Sequence, residues 1–262
     1  MMNELARAAA LALGPLVLGL AATAPLTAQE GMPPNYTVNV VREHAAGMIF
    51  VNGIPVHPFA YDPSEDGAPL TDAASIGLWL IDGANTIAVE SKATQDGGYT
   101  EVVILESFDV PSILEQRIDG EGRVEVSVDV AGAPHWVWLD AEPVGGDGAE
   151  VLAAVAALHE AIGRGDIAAF EAAHAAKEVD FTGIFGPMPE DMRAEMHKFL
   201  ALPLKPLAAD LTATPYLDGR VWVVSDGSGL DPIQLYDDAE PDTRLATGRF
   251  WSKIDGAFQV IR

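Results

Sequence analysis

The chain contains no cysteine. That absence excludes disulfides, a cysteine nucleophile, thiolate metal sites and a lipid-bearing N-terminal Cys. Basic residues are scarce as well: 15 Lys and Arg stand against 39 Asp and Glu, for a formal net charge of -24. The deficit is steepest early, where residues 29–149 carry 4 bases against 20 acids, while 150–262 carry 10 against 18. A field of that sign repels phosphate backbones and anionic membrane surfaces, which sets nucleic acid aside as a partner. It favours solubility, and it attracts cations or a basic partner.

Long hydrophobic runs are missing with one exception. Arg7 precedes an apolar stretch from Ala8 to Ala24, and the small residues Thr27 and Ala28 follow. A short positive end, an apolar middle and a small-residue cleavage site are the layout of a secretory signal peptide, here 1–28, cleaved to leave Gln29 first. The alternative is a membrane anchor. This run is Ala- and Gly-rich and broken by Pro15, whereas a spanning helix takes roughly 20 strongly apolar residues. The expectation is a periplasmic or secreted protein with no stable membrane anchor after processing.

Catalytic signatures are mostly missing too. His159-Glu160 begins like a zinc-protease helix, but Gly163 stands where the second His belongs. Gly227-Ser228-Gly229 is too short for a nucleophile elbow, and no Gly-rich loop with Lys offers a phosphate cradle. The acidic run Asp237-Asp238-Ala239-Glu240-Pro241-Asp242 has oxygens enough for calcium but lacks the spacing, central Gly and final Glu of an EF-hand. It reads as a solvated loop, and neither a metal nor a cofactor is expected.

What is present is alternation. Tyr36, Val38 and Val40 alternate with polar neighbours, and Val124, Val126, Val128 and Val130 alternate with Arg123, Glu125, Ser127 and Asp129. A period of two puts one strand face in a core and the other in water. Apolar runs lie between them at Met48–Val51, Ile76–Ile81, Thr86–Val89 and Val102–Leu105. They are separated by Asn52-Gly53, Asp82-Gly83, Gly97-Gly98 and Asp119-Gly120, which tolerate positive φ. Short strands with regular turns predict an all-β sandwich over 29–142.

The Gly- and Pro-rich segment 143–149 reads as a linker, after which the period changes. Val151, Leu152, Val155, Leu158 and Ile162 mark a helix that Asp147 and Glu150 can cap and Gly163 can end. Asp166 caps a second helix bearing Ile167, Phe170 and His174, and a third starts near Pro189 with Met192, Met196, Phe199 and Leu200 on its apolar side. Strands return at Leu211–Tyr216, Arg220–Val224, Ile233–Leu235, Gly248–Ile254 and Ala257–Ile261, with hairpin turns at Asp218-Gly219 and Asp255-Gly256. Helices followed by an antiparallel sheet make an α+β domain over 150–262.

Two resemblances accompany these patterns. The order helix, helix, strand, helix, then hairpins ending in Arg249-Phe250-Trp251-Ser252-Lys253-Ile254-Asp255-Gly256-Ala257-Phe258-Gln259-Val260-Ile261-Arg262 resembles a nuclear-transport-factor-2-like domain. So does the opening pair Leu158-His159-Glu160-Ala161-Ile162-Gly163-Arg164-Gly165-Asp166-Ile167-Ala168-Ala169-Phe170. That family is the curved α+β cone also found in ketosteroid isomerases and polyketide cyclases, and it includes enzymes, ligand binders and interaction modules. In the first half, Val51-Asn52-Gly53-Ile54-Pro55-Val56 with Leu80-Ile81-Asp82-Gly83-Ala84-Asn85-Thr86-Ile87-Ala88-Val89 resembles the jelly-roll modules of glycoside hydrolases. No sugar-binding residue carries over.

The candidate residues follow. A ketosteroid-isomerase likeness implies an Asp base opposite a Tyr and acid pair; Asp180 is the candidate base, with His159 and His174 as further inward groups. Tyr216, Trp222, Tyr236 and Trp251 are the candidate lining of a ligand pocket. Trp136 and Trp138, two apart on a predicted strand, offer one face for sugar stacking or for core packing. These readings favour an exported non-catalytic binding or accessory protein for a small apolar ligand or a protein partner, with a homodimer also open. The alternatives are a cone-domain isomerase, lyase or hydrolase working by general acid–base chemistry, and a structural envelope component with its cone filled.

Overall fold

The structure is a computed structural model, and it describes residues 33–60, 69–107, 110–226 and 230–262, with the side chains of 240–243 left aside. The expected signal peptide, Gly227-Ser228-Gly229 and the side chains of Glu240, Pro241 and Asp242 therefore lie outside the described residues. Among the described residues no helix is long and apolar enough to cross a membrane.

The molecule is sheet-rich, and its sheets are antiparallel. Eight strands come first: β1 Thr37–Glu43, β2 Ala45–Val51, β3 Ile54–Phe59, β4 Leu70–Ser75, β5 Gly83–Ala93, β6 Tyr99–Leu105, β7 Leu114–Asp119 and β8 Glu121–Val130. They form two four-stranded sheets, ordered β4-β1-β6-β7 and β3-β2-β5-β8. Val38 and Val40 of the first sheet and Ile49, Val51, Ile87, Val89, Val124, Val128 and Val130 of the second are buried in one apolar cluster. The period of two read in β1 and β8 thus selects the buried face.

Asn52 and Gly53, at φ 52° and 80°, make the two-residue turn that joins β2 to β3. Asn52 also ties that hairpin to β5. Its Oδ1 accepts from Thr86 N at 3.0 Å, and its Nδ2 donates to Asn85 Oδ1 at 2.9 Å. Buried Asn85 in turn donates to Ile81 O and Gly83 O and accepts from Ile81 N, so its amide is fully used. The two segments that resemble a jelly roll are therefore one hydrogen-bonded unit. The run Ile76–Ile81 is not a strand but a 3-10 turn over Gly77–Trp79. A Cβ at Gly77 would collide with the Pro34 carbonyl, so that close crossing breaks the extended run. Asp119-Gly120 turns a corner instead of a hairpin, because β7 pairs with β6 and β8 pairs with β5.

The remaining elements are helices α1 Ala149–Gly163, α2 Ile167–Ala173, α3 Ala175–Phe185 and α4 Glu190–Phe199, then strands β9 Thr212–Tyr216, β10 Val221–Ser225, β11 Ile233–Asp237, β12 Glu240–Thr247, β13 Phe250–Ile254 and β14 Ala257–Val260. One sheet runs β14-β13-β10-β9, and β11 pairs with β12 as a ribbon. Two local expectations change. The strand that the resemblance puts between the second and third expected helices is instead the helix α3, with Ala176 and Asp180 four apart on the buried side. The cap of α1 is Gly148 in the left-handed region, while Asp147 accepts only from Ala149 N at 3.1 Å. Asp166 does cap α2, accepting from Ala169 N at 3.0 Å.

Strand β10 is buried on both faces. Val221 and Val223 join Phe250, Ile261, Trp79 and Trp138 in the same cluster as the first eight strands. Trp222 and Val224 point the other way, into a second cluster with Val151, Val155, Leu158, Phe170, Trp251 and Val260. Such a strand reads as a continuous apolar run because neither face meets water. The segment 143–149 is held as well: Val144 N donates to Gly219 O at 3.1 Å, beside a bridge between Glu142 and Lys253.

Candidate functional site

Asp180 lies on α3, buried, with both carboxylate oxygens committed. Oδ1 accepts from Val137 N at 2.9 Å and Oδ2 accepts from Arg262 Nη1 at 2.6 Å. Arg262 also donates to Leu78 O from Nε and Nη2, and its guanidinium lies 4.6 Å from the Trp136 ring centroid. Burial pulls the Arg262 guanidinium down, and its bond to Asp180 opposes that. Each oxygen thus already holds a structural donor in a buried setting. Asp180 fastens α3 and the C-terminal strand to the Leu78 segment.

The two histidines are also engaged. His159 Nε2 donates to Lys205 O at 2.9 Å, fixing α1 against the segment before β9. His174, between α2 and α3, donates from Nδ1 to Phe170 O at 2.8 Å; Nε2 then accepts from Thr247 Oγ1 at 2.7 Å. Its ring packs 4.2 Å from the Phe170 ring. Burial holds His174 down at about 4, against the opposing pull of the Phe170 carbonyl, so at neutral pH it is an uncharged structural bridge.

The aromatic candidates divide. Trp222 and Trp251 pair across β10 and β13, are each 1% exposed, and donate their indole N–H groups to Gly219 O and Gly248 O. They fill the space under α1 themselves. Tyr216 is half-buried against the first cluster, and burial pushes its hydroxyl up. Tyr236 borders a cleft of about 200 Å³ with Lys205, Pro206, Asp226, Asp231 and Gln234. Trp136 and Trp138 are not on a strand. They begin the 3-10 turn 137–140, and each is 1% exposed, which removes them as a sugar platform. Trp136 Nε1 donates to Leu80 O at 2.7 Å, and Trp138 packs 6.4 Å from Trp79. The apolar residues around them, Val137 and Leu139, are partly buried against the same cluster. Packing took the rings inward.

A group that spacing does not reveal gathers where the first eight strands meet β11–β13. The ladder of β11 and β12 ends at Ile233 opposite Thr247. Asp231 lies just beyond that end, close enough to Arg249 for their charges to act on each other. Gly248 closes this end, with Pro232 and Ile233 side chains about its α-carbon. The bond from Thr247 to His174 brings the start of α3, and hence Lys177, to the same place. Arg249, buried, reaches across to donate to Pro55 O at 3.2 Å, two residues before His57. Burial pushes the Asp231 carboxyl up, opposed by Arg249, Lys177 and Arg244, and it holds His57 down. It also pulls the Lys177 ammonium down, although Lys177 keeps its contact with solvent. These residues are 57, 177, 231 and 249, too far apart in sequence for any motif to join them.

On the other side of the helices, apolar side chains face water. Phe185 is 56% exposed, Val179 59% and Met192 46%. Phe181 and Phe185, four apart on α3, stack at 4.9 Å. Helix α4 buries no residue fully; Met196 and Leu200 rest on the second cluster while Arg193 pairs with Glu171 and Glu178. Glu190, Asp191 and Glu195 are exposed around Met192. Among the described residues no group of three or more His, Asp or Glu is arranged to hold a metal ion.

Comparison with protein-family models, with curated proteins and with solved structures finds no match to this chain.

Proposed function

We propose that the chain is an exported, non-catalytic binding or accessory protein of two domains, a β-sandwich (29–142) and an α+β cone (150–262). In this reading it docks a protein partner on the outer side of α3 and α4. The carrying observation is a contrast of side chains: the indoles expected to line a pocket are packed into a filled interior, while Phe185, Val179 and Met192 stand in water. Single exposed apolar residues are ordinary, but large ones gathered on two neighbouring helices mark an interaction surface. The acidic residues Glu190, Asp191 and Glu195 beside Met192, on a chain of net charge -24, favour a partner whose apolar patch is ringed by Lys and Arg. The enzyme reading loses support because Asp180, His159 and His174 are all spent on fixed structural bonds.

Site-specific photo-crosslinking in the producing cell tests this. A photoreactive amino acid is placed at position 185, at 192, and at exposed Glu121 as the control. The expected result is a discrete adduct with one other protein from 185 and 192, absent from 121, whose surface carries basic residues around an apolar patch. Adducts with a second copy of this chain alone, or no adduct beyond the control, would overturn the proposal.

A further inference from the structure

We propose that β8 is a pairing edge for a second copy of this chain, joined to it antiparallel about a twofold axis at Val126. The first support is the backbone. β8 ends the sheet β3-β2-β5-β8 and pairs with β5 in one unbroken register, from Gly83 opposite Val130 to Lys92 opposite Glu121. In such a ladder alternate residues turn both backbone groups away from the neighbouring strand. Among the described residues nothing bonds that outer row of β8. The other edges of the two sheets are shorter or blunted. β3 carries Pro55 and Pro58, shifts register across from Ile49 and Phe50, and gives its Pro55 carbonyl to Arg249. β4 and β7 have six residues each, against ten in β8. A long, regular edge without proline is a template for strand addition.

The second support is the side chains, which favour a like strand as the occupant. Glu121, Arg123, Glu125, Ser127 and Asp129 are exposed on one face of β8. Val124, Val128 and Val130 are buried on the other, with Val126 only half-buried among them. An axis at Val126 lays residues 122–130 of one copy against 130–122 of the other and keeps each face on its own side. Arg123 then stands opposite Asp129 of the second copy, and by symmetry this pair occurs twice. Glu125 meets Ser127, and Val126 meets its own counterpart. Opposite charges and apolar pairs directly across a ladder stabilise it, whereas like charges there oppose it. An axis one residue either way sets Glu125 against Glu125 or against Asp129. An axis at Val124 joins Arg123 to Glu125 but pairs only residues 121–127. Glu90 and Glu125 hold Arg123 in place from within the chain, while Asp129 forms no salt bridge or side-chain hydrogen bond among the described residues. The net charge of -24 opposes association at long range, and at physiological salt it is screened beyond about 8 Å. Pairing one strand makes a small interface, so the dimer belongs in the micromolar range.

The edge belongs to other elements than α3 and α4, and its test reads neither position 185 nor 192, so it stands or falls apart from the docking proposed there. In the photo-crosslinking described above, an adduct from position 121, on β8, would be with a second copy. The test is sedimentation velocity of the purified protein at about 0.15 M salt, from about 1 to 200 μM. The mass should rise with concentration from one chain to two. Asp129→Lys opposes like charges at two places and should weaken the dimer about tenfold or more. Because the chain has no cysteine, Val126→Cys can form a disulfide only with a second copy. Directly opposed residues of an antiparallel ladder have α-carbons about 4.5–5.5 Å apart, within disulfide reach. Mild oxidation should therefore link Val126→Cys into dimers and leave Gln116→Cys, exposed on β7, as single chains. A single-chain mass over the whole range would overturn the proposal. So would a dimer that Asp129→Lys leaves at full strength, or one that Val126→Cys fails to link while circular dichroism shows it folded.

Discussion

Residue type alone suggested Asp180 as a base, and its bonds make it a fastener. Both oxygens are used, and its partner Arg262 is nearly as buried as it is. Removing one member of a buried pair leaves the other charge uncompensated, at a cost of about 3 kcal/mol or more. Asp180→Asn is therefore expected to lower the urea midpoint by that equivalent with an unchanged slope. An unaltered midpoint would remove the fastening role. His174 makes a second prediction. Its folded pKa of about 4 lies below the ordinary value of 6.5, so between those values the unfolded chain binds more protons. The stability due to the neutral ring is complete above pH 6.5 and is lost as the pH falls towards 4, by up to about 3 kcal/mol for a shift of this size. Urea unfolding at pH 7 and pH 4.5 should show a steeper acid loss in the native chain than in His174→Asn. Equal losses would mean that His174 titrates normally. Neither role was legible in sequence, because the partners Thr247, Val137 and Arg262 are supplied by the fold and not by spacing.

At the level of elements, legibility followed whether local and tertiary forces agree. The alternating valines of β1 and β8, the Asn52-Gly53 and Asp255-Gly256 turns and the Asp166 cap are all local signals, and all appear as read. Ile76–Ile81, and the segment after the second expected helix that the resemblance makes a strand, differ because their apolar residues serve packing demands from elsewhere. The first is bent by the Gly77–Pro34 crossing, and the second is turned inward at Ala176 and Asp180 while Val179 and Phe185 stay outside. The start of α1 carries a prediction of its own. Gly148 has φ 81°, and a Cβ there would stand 2.6 Å from the Ala213 Cβ and 3.0 Å from the Trp222 ring. The left-handed backbone alone costs a non-glycine residue about 1–2 kcal/mol, and the clash adds to it. Gly148→Ala should thus destabilise more than Gly256→Ala, which has the same sign of φ and open space around it. Matching melting temperatures for the two variants would mean that the α1–β9 contact yields freely.

The whole molecule is organised around β10, which carries Val221 and Val223 into one core and Trp222 and Val224 into the other. Trp79 packs on Phe250 at 4.6 Å and Arg262 lies over both Trp79 and Trp136, so residues from opposite ends of the chain share one interior. A junction of this kind is invisible to a reading that takes each half separately, and it explains why Trp136 and Trp138 are buried. It also displaces the expected ligand pocket, because the indoles meant to line it are the packing. The account therefore rests on one claim: Trp222 and Trp251 occupy the space under α1 that a ligand pocket would need, and the proposed recognition surface is on the outer helices. The intact mass of the purified protein, taken natively and after denaturation from one preparation, tests that claim most directly. The two masses should agree. A larger apolar molecule carried in the native state and released on denaturation would contradict it and return attention to an open cone.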